Sequence, residues 1–246
     1  FFDNSRKQKR LQETILSYLT KGQDWHGEVE YKRKDKKIVW AKSSIFPTKN
    51  NNKQIIGYTN MLKSITNKKL SMLDPLTSLQ NRRGFDETLA KELNTAIEQQ
   101  THISLAILDI DYFKKYNDHY GHPAGDRVLI EFSLRLQQCL VRPNDYAFRV
   151  GGEEFAIITV DQNEEEIKLF MLHILKQIND MGLEHSKSLI SDVITASIGA
   201  YVLIPQESDT PQNIYQLADK TLYKAKERRN SVAITTHDDH LSSQSV

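Results

Sequence analysis

A single cysteine, Cys139, stands in this 246-residue chain, and that scarcity excludes an internal disulfide and any cysteine-rich metal site. Cys139 falls on the apolar stripe of an expected helix, a core position. Long apolar runs are missing too: no stretch approaches the ~20 residues that a membrane span needs, and none has the layout of a secretory signal. An excess of one charge is also absent. With 33 basic and 32 acidic residues the formal net charge is +1, which gives no global pull toward nucleic acid or a membrane surface. Basic clusters lie at 6–10 and 32–37, the second where a strand turns, which reads as a solvated hairpin tip. What is present is an ordinary globular composition, 39% apolar, enough for one large or two small domains. The chain starts at Phe1 without a methionine, so the expectation is a cytoplasmic protein that is the cytosolic part of something longer.

The stretch that organises the chain is Arg149-Val150-Gly151-Gly152-Glu153-Glu154-Phe155. It sets two neighbouring carboxylates on a double-glycine turn between two strand-like runs. Paired glycines allow positive φ and close approach of a backbone or a phosphate. Adjacent glutamates with no lysine between them repel unless a cation sits there, and a divalent metal is the natural partner. Taken alone, the segment reads first as a tight hairpin with solvated acids at its tip. The residues upstream change that reading.

Residues 1–60 differ in pattern from the rest. A helix carrying Leu11, Ile15, Leu16 and Leu19 ends at Gly22, and alternating runs follow at 28–32, 38–45 and 55–61. Turns fall at Asp35 and at Asn50-Asn51-Asn52. The expectation is one helix and a three-stranded antiparallel meander. Leu62, Ile65, Met72 and Leu73 then suggest a helical linker over 61–75, stopped at Asp74-Pro75. Residues 237–246 are polar and read as a loose tail.

From Gly84 the pattern is regular. A helix with Phe85, Leu89, Leu93, Ala96 and Ile97 leads to a continuous apolar run at 103–108, which fits a strand buried on both faces. A helix through Val128, Leu129, Phe132, Leu136 and Leu140 precedes a hairpin at 146–150 and 155–160. Another helix (Ile167, Phe170, Met171, Ile174, Leu175, Ile178), a strand at 193–203, a helix (Ile214, Leu217, Thr221, Leu222, Ala225) and a strand at 232–235 complete it. This is an α+β, ferredoxin-like βαββαβ plan with an extra N-terminal helix and an appended helix and strand.

In that plan the first and third strands are antiparallel neighbours at the sheet centre. The end of the first, Asp109-Ile110-Asp111, therefore meets the start of the third, Glu153-Glu154. Converging carboxylates suit a hard divalent ion. The segment 112–117, read as a loop, can turn amides toward a phosphate, with lysines adding charge. Asn117 and Asp126 supply an amide and a carboxylate acceptor that can together read the two donors of guanine; alone, they would be a turn residue and a helix-start residue.

Four ordered motifs now carry a resemblance: Asp74-Pro75-Leu76-Thr77-Ser78-Leu79-Gln80-Asn81-Arg82-Arg83; Asp109-Ile110-Asp111-Tyr112-Phe113-Lys114 with Asn117-Asp118; Gly121-His122-Pro123-Ala124-Gly125-Asp126; and Gly151-Gly152-Glu153-Glu154-Phe155. In order and interval they resemble the GGDEF-domain diguanylate cyclases, whose catalytic domain, of the palm type, would span 76–236. The resemblance implies condensation of two GTP into cyclic di-GMP with loss of two pyrophosphates, two Mg2+ or Mn2+ ions per active site, no organic cofactor, and a working homodimer. It implies Asp109, the carbonyl of Ile110, and Glu153 as metal ligands, with Glu154 as a further ligand or the base that draws the 3′-hydroxyl proton. Phe113 and Lys114 fall where the phosphates are held, and Asn117 and Asp126 where guanine is recognised. His122 has no evident chemical role. Lys226 matches a triphosphate-gripping lysine, and either Arg228 or Arg229 the accompanying arginine, in a stretch one residue shorter than the family pattern and without its glycine. Arg142-Pro143-Asn144-Asp145 ends five residues before the glycine pair, at the interval of an inhibitory product site formed by the arginine and the aspartate. Residues 1–60, through Trp25-His26-Gly27-Glu28, Trp40 and Ile56-Gly57-Tyr58, resemble the C-terminal half of a PAS sensor domain. Two other readings stand beside the cyclase: a receptor that binds cyclic di-GMP through Arg142 and Asp145 without making it, and a cyclase of the same architecture that uses ATP.

Overall fold

Strand pairing over long sequence distances decides most of what periodicity left open. A computed structural model describes residues 6–32, 38–67 and 71–237, and the chain divides into two units, 1–71 and 72–246.

In the first unit, α1 (Arg6–Thr20) precedes an antiparallel sheet of β1 (Trp25–Lys32), β2 (Ile38–Lys49) and β3 (Ile55–Ser64), in the order β1-β2-β3. Leu11 and Ile15 of α1 pack on a small core of Trp25, Val29 and Ala41. The meander is as expected. Its second turn is built by Asn50, whose Oδ1 accepts from the amides of Asn52 and Gln54 at 3.0 and 2.9 Å; the first, at Asp35, lies outside the described residues. The linker helix is corrected. Residues 61–64 belong to β3, Leu62 facing Ser43 and Lys63 facing Lys42, and the Ile65 amide continues the ladder to the Trp40 carbonyl at 2.8 Å. Only Thr66 and Asn67 take helical backbone among the described residues of that span. Ladder hydrogen bonds to β2 outweigh a weak helical spacing of apolar residues.

In the second unit a six-stranded sheet runs β4 (Gln80–Asn81), β6 (Tyr146–Arg149), β7 (Glu154–Val160), β5 (Ile103–Ile110), β8 (Ala196–Leu203), β9 (Val232–Thr236). Helices α2 (Arg82–Gln99), α3 (Phe113–Tyr120), α4 (His122–Cys139), α5 (Glu164–Asn179) and α6 (Pro211–Arg228) cover it. All eight residues of β5 are buried, and alternation explains why the run is continuously apolar. Ala106, Leu108 and Ile110 enter the core with α4 and α5. Ile103, Leu105 and Ile107 enter the other, with α2 and α6. Strands β6-β7-β5-β8 reproduce the ferredoxin-like order, with β5 and β7 antiparallel at the centre. Helix starts are capped: Asn81 accepts from Gly84, Thr210 accepts from Asn213 ahead of Pro211 at the first turn, and Asn163 with Glu166 forms a capping box. Gly199 lets α6 lie directly on β8, since a Cβ there would overlap the Leu222 backbone.

Two expectations are corrected here, and one element is new. Residues 113–117 are not loop but the start of α3, entered through Tyr112 in the left-handed region at φ 56°. The strand expected from 193 begins at Ala196, and Val193 instead bridges Glu184. β4 was not foreseen; two residues carry no period. Of the expected tail, 238–246 lie outside the described residues, and His237 Nδ1 sits 3.1 Å from the Tyr201 hydroxyl.

Candidate active site

The β5–β7 register brings the acids together. Asp109, next to last in β5, is the cross-strand partner of Glu154, and the Ile110 amide reaches the Glu153 carbonyl at 3.4 Å. Asp109 is 7% exposed, and Lys226 Nζ of α6 lies 2.9 Å from its Oδ2. Burial pushes the Asp109 carboxyl above the ordinary carboxylate range; Lys226 opposes this and the Asp111 charge adds to it. Glu153 is raised for the same reason, burial first and then repulsion from Asp109, with Lys226 opposing and Glu154 adding. Buried carboxylates each raised by a neighbouring acid, Asp109 by Asp111 and Glu153 by Asp109, form a site that favours a cation. Glu154 lies over the glycine turn: its Oε2 would be 2.6 Å from a Cβ on Gly151. Among the described residues no three His, Cys, Asp or Glu side chains form a ready-made metal cluster. The donor set suits a hard ion held by Asp109, Glu153 and backbone oxygen, with Glu154, whose charge also acts on Glu153, beside them.

Lys226 also marks where an anion would be drawn. Arg229, expected on the triphosphate, has NH1 3.5 Å from Asp111 Oδ1 and its guanidinium 4.1 Å over the Tyr112 ring; Arg228 is exposed at the end of α6. Asp111 has no part in the acidic pair. It is fully buried, accepting from Thr195 Oγ1, Ser197 Oγ and the Asn230 amide at 2.8, 2.7 and 2.9 Å. It ties the end of β5 to β8 and to the turn after α6.

The Phe113 side chain is buried and faces Gly125, so only its backbone could meet a phosphate; this narrows the role expected for it. Lys114 is exposed beside it. Asn117 of α3 has a buried Oδ1 with no hydrogen-bond partner. A Cβ on Gly125 would overlap that oxygen, so the glycine allows α4 to close on Asn117. Asp126 is exposed one residue further on. A buried acceptor without a donor, near an open carboxylate, is what a donor-bearing base edge would complete.

Sequence reasoning missed the clasp that shapes the glycine turn. Arg149 donates from Nε and NH2 to the Gly152 carbonyl at 3.2 and 2.8 Å, and from NH1 to Asp74 Oδ1 at 3.0 Å. Burial pushes Asp74 up, but hydrogen bonds from Thr77 and then Arg149 outweigh it and hold its carboxyl below the ordinary range. The signal was the arginine flanking the glycine pair, which says nothing of its partner. Arg142 and Asp145 lie at the opposite end of the β6–β7 hairpin. Arg142 donates to the carbonyls of Val160 and Asp161 at 3.2 and 3.4 Å, while Asp145 keeps a buried Oδ1 without a partner and is pushed up by burial, with Arg142 opposing.

The family model for "Diguanylate cyclase, GGDEF domain" matches residues 71–231. A probable diguanylate cyclase of Escherichia coli, DgcT, is 38% identical over 168 residues, 68% of this chain and 36% of that protein. The diguanylate cyclase DgcS of Shewanella oneidensis is 36% identical over 63% of this chain and 50% of its own length. The chain thus spans half or less of these relatives. Among solved structures, the coiled coil and GGDEF domain of DgcB from Caulobacter crescentus, in complex with c-di-GMP, superposes with a TM-score of 0.62 at 30% identity, covering 68% of this chain and 87% of that one. Each match covers about two thirds of the chain, and the family match begins at residue 71.

Proposed function

Since the chain belongs to the diguanylate cyclase, GGDEF-domain family, we propose that its second unit condenses two GTP into cyclic di-GMP and releases two pyrophosphates. The observation that carries this reading is the meeting of Asp109 and Glu153, each raised by burial and by charge repulsion, beside Lys226. A divalent ion, Mg2+ or Mn2+, held by Asp109, Glu153, the Ile110 carbonyl and Glu154, would supply Lewis-acid stabilisation of the phosphate oxygens.

The chain's own groups divide the remaining work. Asn117 Oδ1 and Asp126 accept from the N1–H and exocyclic amine of guanine, a pattern adenine lacks. Lys226 and the amides at the start of α3 hold the phosphates, and Arg229 reaches them by leaving Asp111. Glu154 takes the proton from the 3′-hydroxyl as that oxygen attacks the α-phosphate of the second GTP. One bond forms and one breaks at each α-phosphorus, and pyrophosphate leaves. Each protomer holds one GTP, so two copies must face each other. Product returns to Arg142 and Asp145 and inhibits. The first unit serves as a PAS-like input segment, and the protein works in the cytoplasm.

The test is incubation of the purified chain with GTP and Mg2+, with products separated by chromatography. Cyclic di-GMP forms, and Asp109→Ala abolishes it without changing the circular dichroism. Absence of any cyclic dinucleotide across a wide range of protein concentration would overturn the reading, and preference for ATP would replace it.

A further inference from the structure

Tyr112 is a non-glycine residue in the left-handed region, φ 56° and ψ 26°, where β5 gives way to α3. Side chains rarely adopt that conformation unless their surroundings impose it. No side-chain cap fixes the start of α3, so something else must.

A distant histidine does. His185, 1% exposed, lies between α5 and β8 in a narrow excursion closed by the Glu184–Val193 bridge and by hydrogen bonds from His185 to the Asp192 carbonyl at 2.7 Å and from Ile194 to the Leu183 carbonyl at 2.7 Å. Its Nε2 is 3.2 Å from the Tyr112 carbonyl. A carbonyl only accepts, so Nε2 carries the proton and Nδ1 is an acceptor. That Nδ1 is buried without a partner. The ring stands edge-on to Tyr116 of α3 at 5.2 Å. An apolar side chain would fill this space without leaving a polar atom unsatisfied. What the imidazole adds is one hydrogen bond, given to the residue whose backbone aims α3. The same carbonyl also accepts from the Tyr116 amide at 3.1 Å, the first turn of the helix.

We propose that His185 is a positioning residue: by holding the Tyr112 carbonyl it locks the left-handed step and so fixes Lys114 and Asn117 of α3 against Asp109. Asp111, pinned by Thr195, Ser197 and Asn230, anchors the residue before the step; His185 anchors the step itself. The distance between the acids and the base-reading amide is thereby set by the excursion before β8, which touches neither. The consequence for catalysis rests on the GTP reading above, whereas the lock itself does not.

The test compares His185→Leu, His185→Gln and Tyr112→Gly, alone and combined, in the full chain, by GTP kinetics and by hydrogen exchange of the amides at 113–117. His185→Leu is expected to lower kcat/KM for GTP about tenfold, the scale of one lost buried hydrogen bond, and to speed exchange at 113–117. Glutamine, whose amide can donate to the same carbonyl, restores both to within about threefold. With glycine at 112 the left-handed step needs no lock, so His185→Leu then changes either readout less than about twofold. Equal losses in both backgrounds, no rescue by glutamine in a folded protein, or unchanged exchange would each overturn the proposal. A parent protein that makes no product but shows the exchange pattern would sink the cyclase reading and keep the lock.

Discussion

Replacing Glu153 by glutamine should stabilise the metal-free protein while crippling it. Glu153 and Asp109 both hold their protons more tightly in the fold than in the unfolded chain, through burial first, with repulsion from Asp109 adding for Glu153 and repulsion from Asp111 adding for Asp109. The native state therefore binds more protons from the ordinary glutamate value of 4.5 up to the raised native one. Stability falls as pH rises through that window, and the loss is fully present at neutral pH. Glutamine keeps the shape and removes the charge. Both Lys226 and solvent screen the pair, so the gain is of the order measured for partly exposed charge pairs, about 0.5–1 kcal/mol. For a unit of this size that raises the melting temperature by about 1–4 °C. Calorimetry in EDTA at pH 7 and again near pH 4 would show the difference at the first and little at the second. Titrating Mg2+ should then raise the transition of the parent more than that of Glu153→Gln, since binding to the native state alone stabilises it. A variant less stable than the parent at pH 7, or a difference independent of pH, would refute the claim that Asp109 and burial disfavour the Glu153 charge.

Gly125→Ala should raise the GTP KM about tenfold or more, because a Cβ there overlaps Asn117 Oδ1, and overpacking of this kind costs about 1–3 kcal/mol; steady-state kinetics would show it, and an unchanged KM would remove Asn117 from base recognition. Arg149→Ala removes three hydrogen bonds that join Gly152 to Asp74, so urea denaturation should show a loss of about 1–3 kcal/mol. Lysine should not restore it, since one ammonium cannot span both partners. Arg142→Ala should weaken cyclic di-GMP binding at least tenfold by titration calorimetry, as a charge-assisted contact would be lost.

The central strands and their order were legible because burial on both faces leaves a sequence little freedom: each apolar residue of β5 lies in one core or the other. Asp109 and Glu153 were legible for the same reason, since antiparallel neighbours at the sheet centre must place those ends together. Beyond the last β5 residue, Ile110, the period of two stops carrying information. Asp109 and Asp111 are two apart and would share a face in a continued strand. The chain instead turns at Tyr112, and Asp111 goes inward to Thr195 and Ser197 while Asp109, also largely buried, meets Lys226. Periodicity does not distinguish the two aspartates; the left-handed residue that follows does. That residue also explains the missed helix α3. Its eight residues, polar at 114, 115, 117 and 118 and uncapped by any side chain, would be marginal alone. They are helical because Phe113 and Tyr116 are buried against α4 and because His185, more than seventy residues later in sequence, holds their first carbonyl. Local sequence thus specifies where the acids meet, and a remote hydrogen bond specifies where α3 points from them.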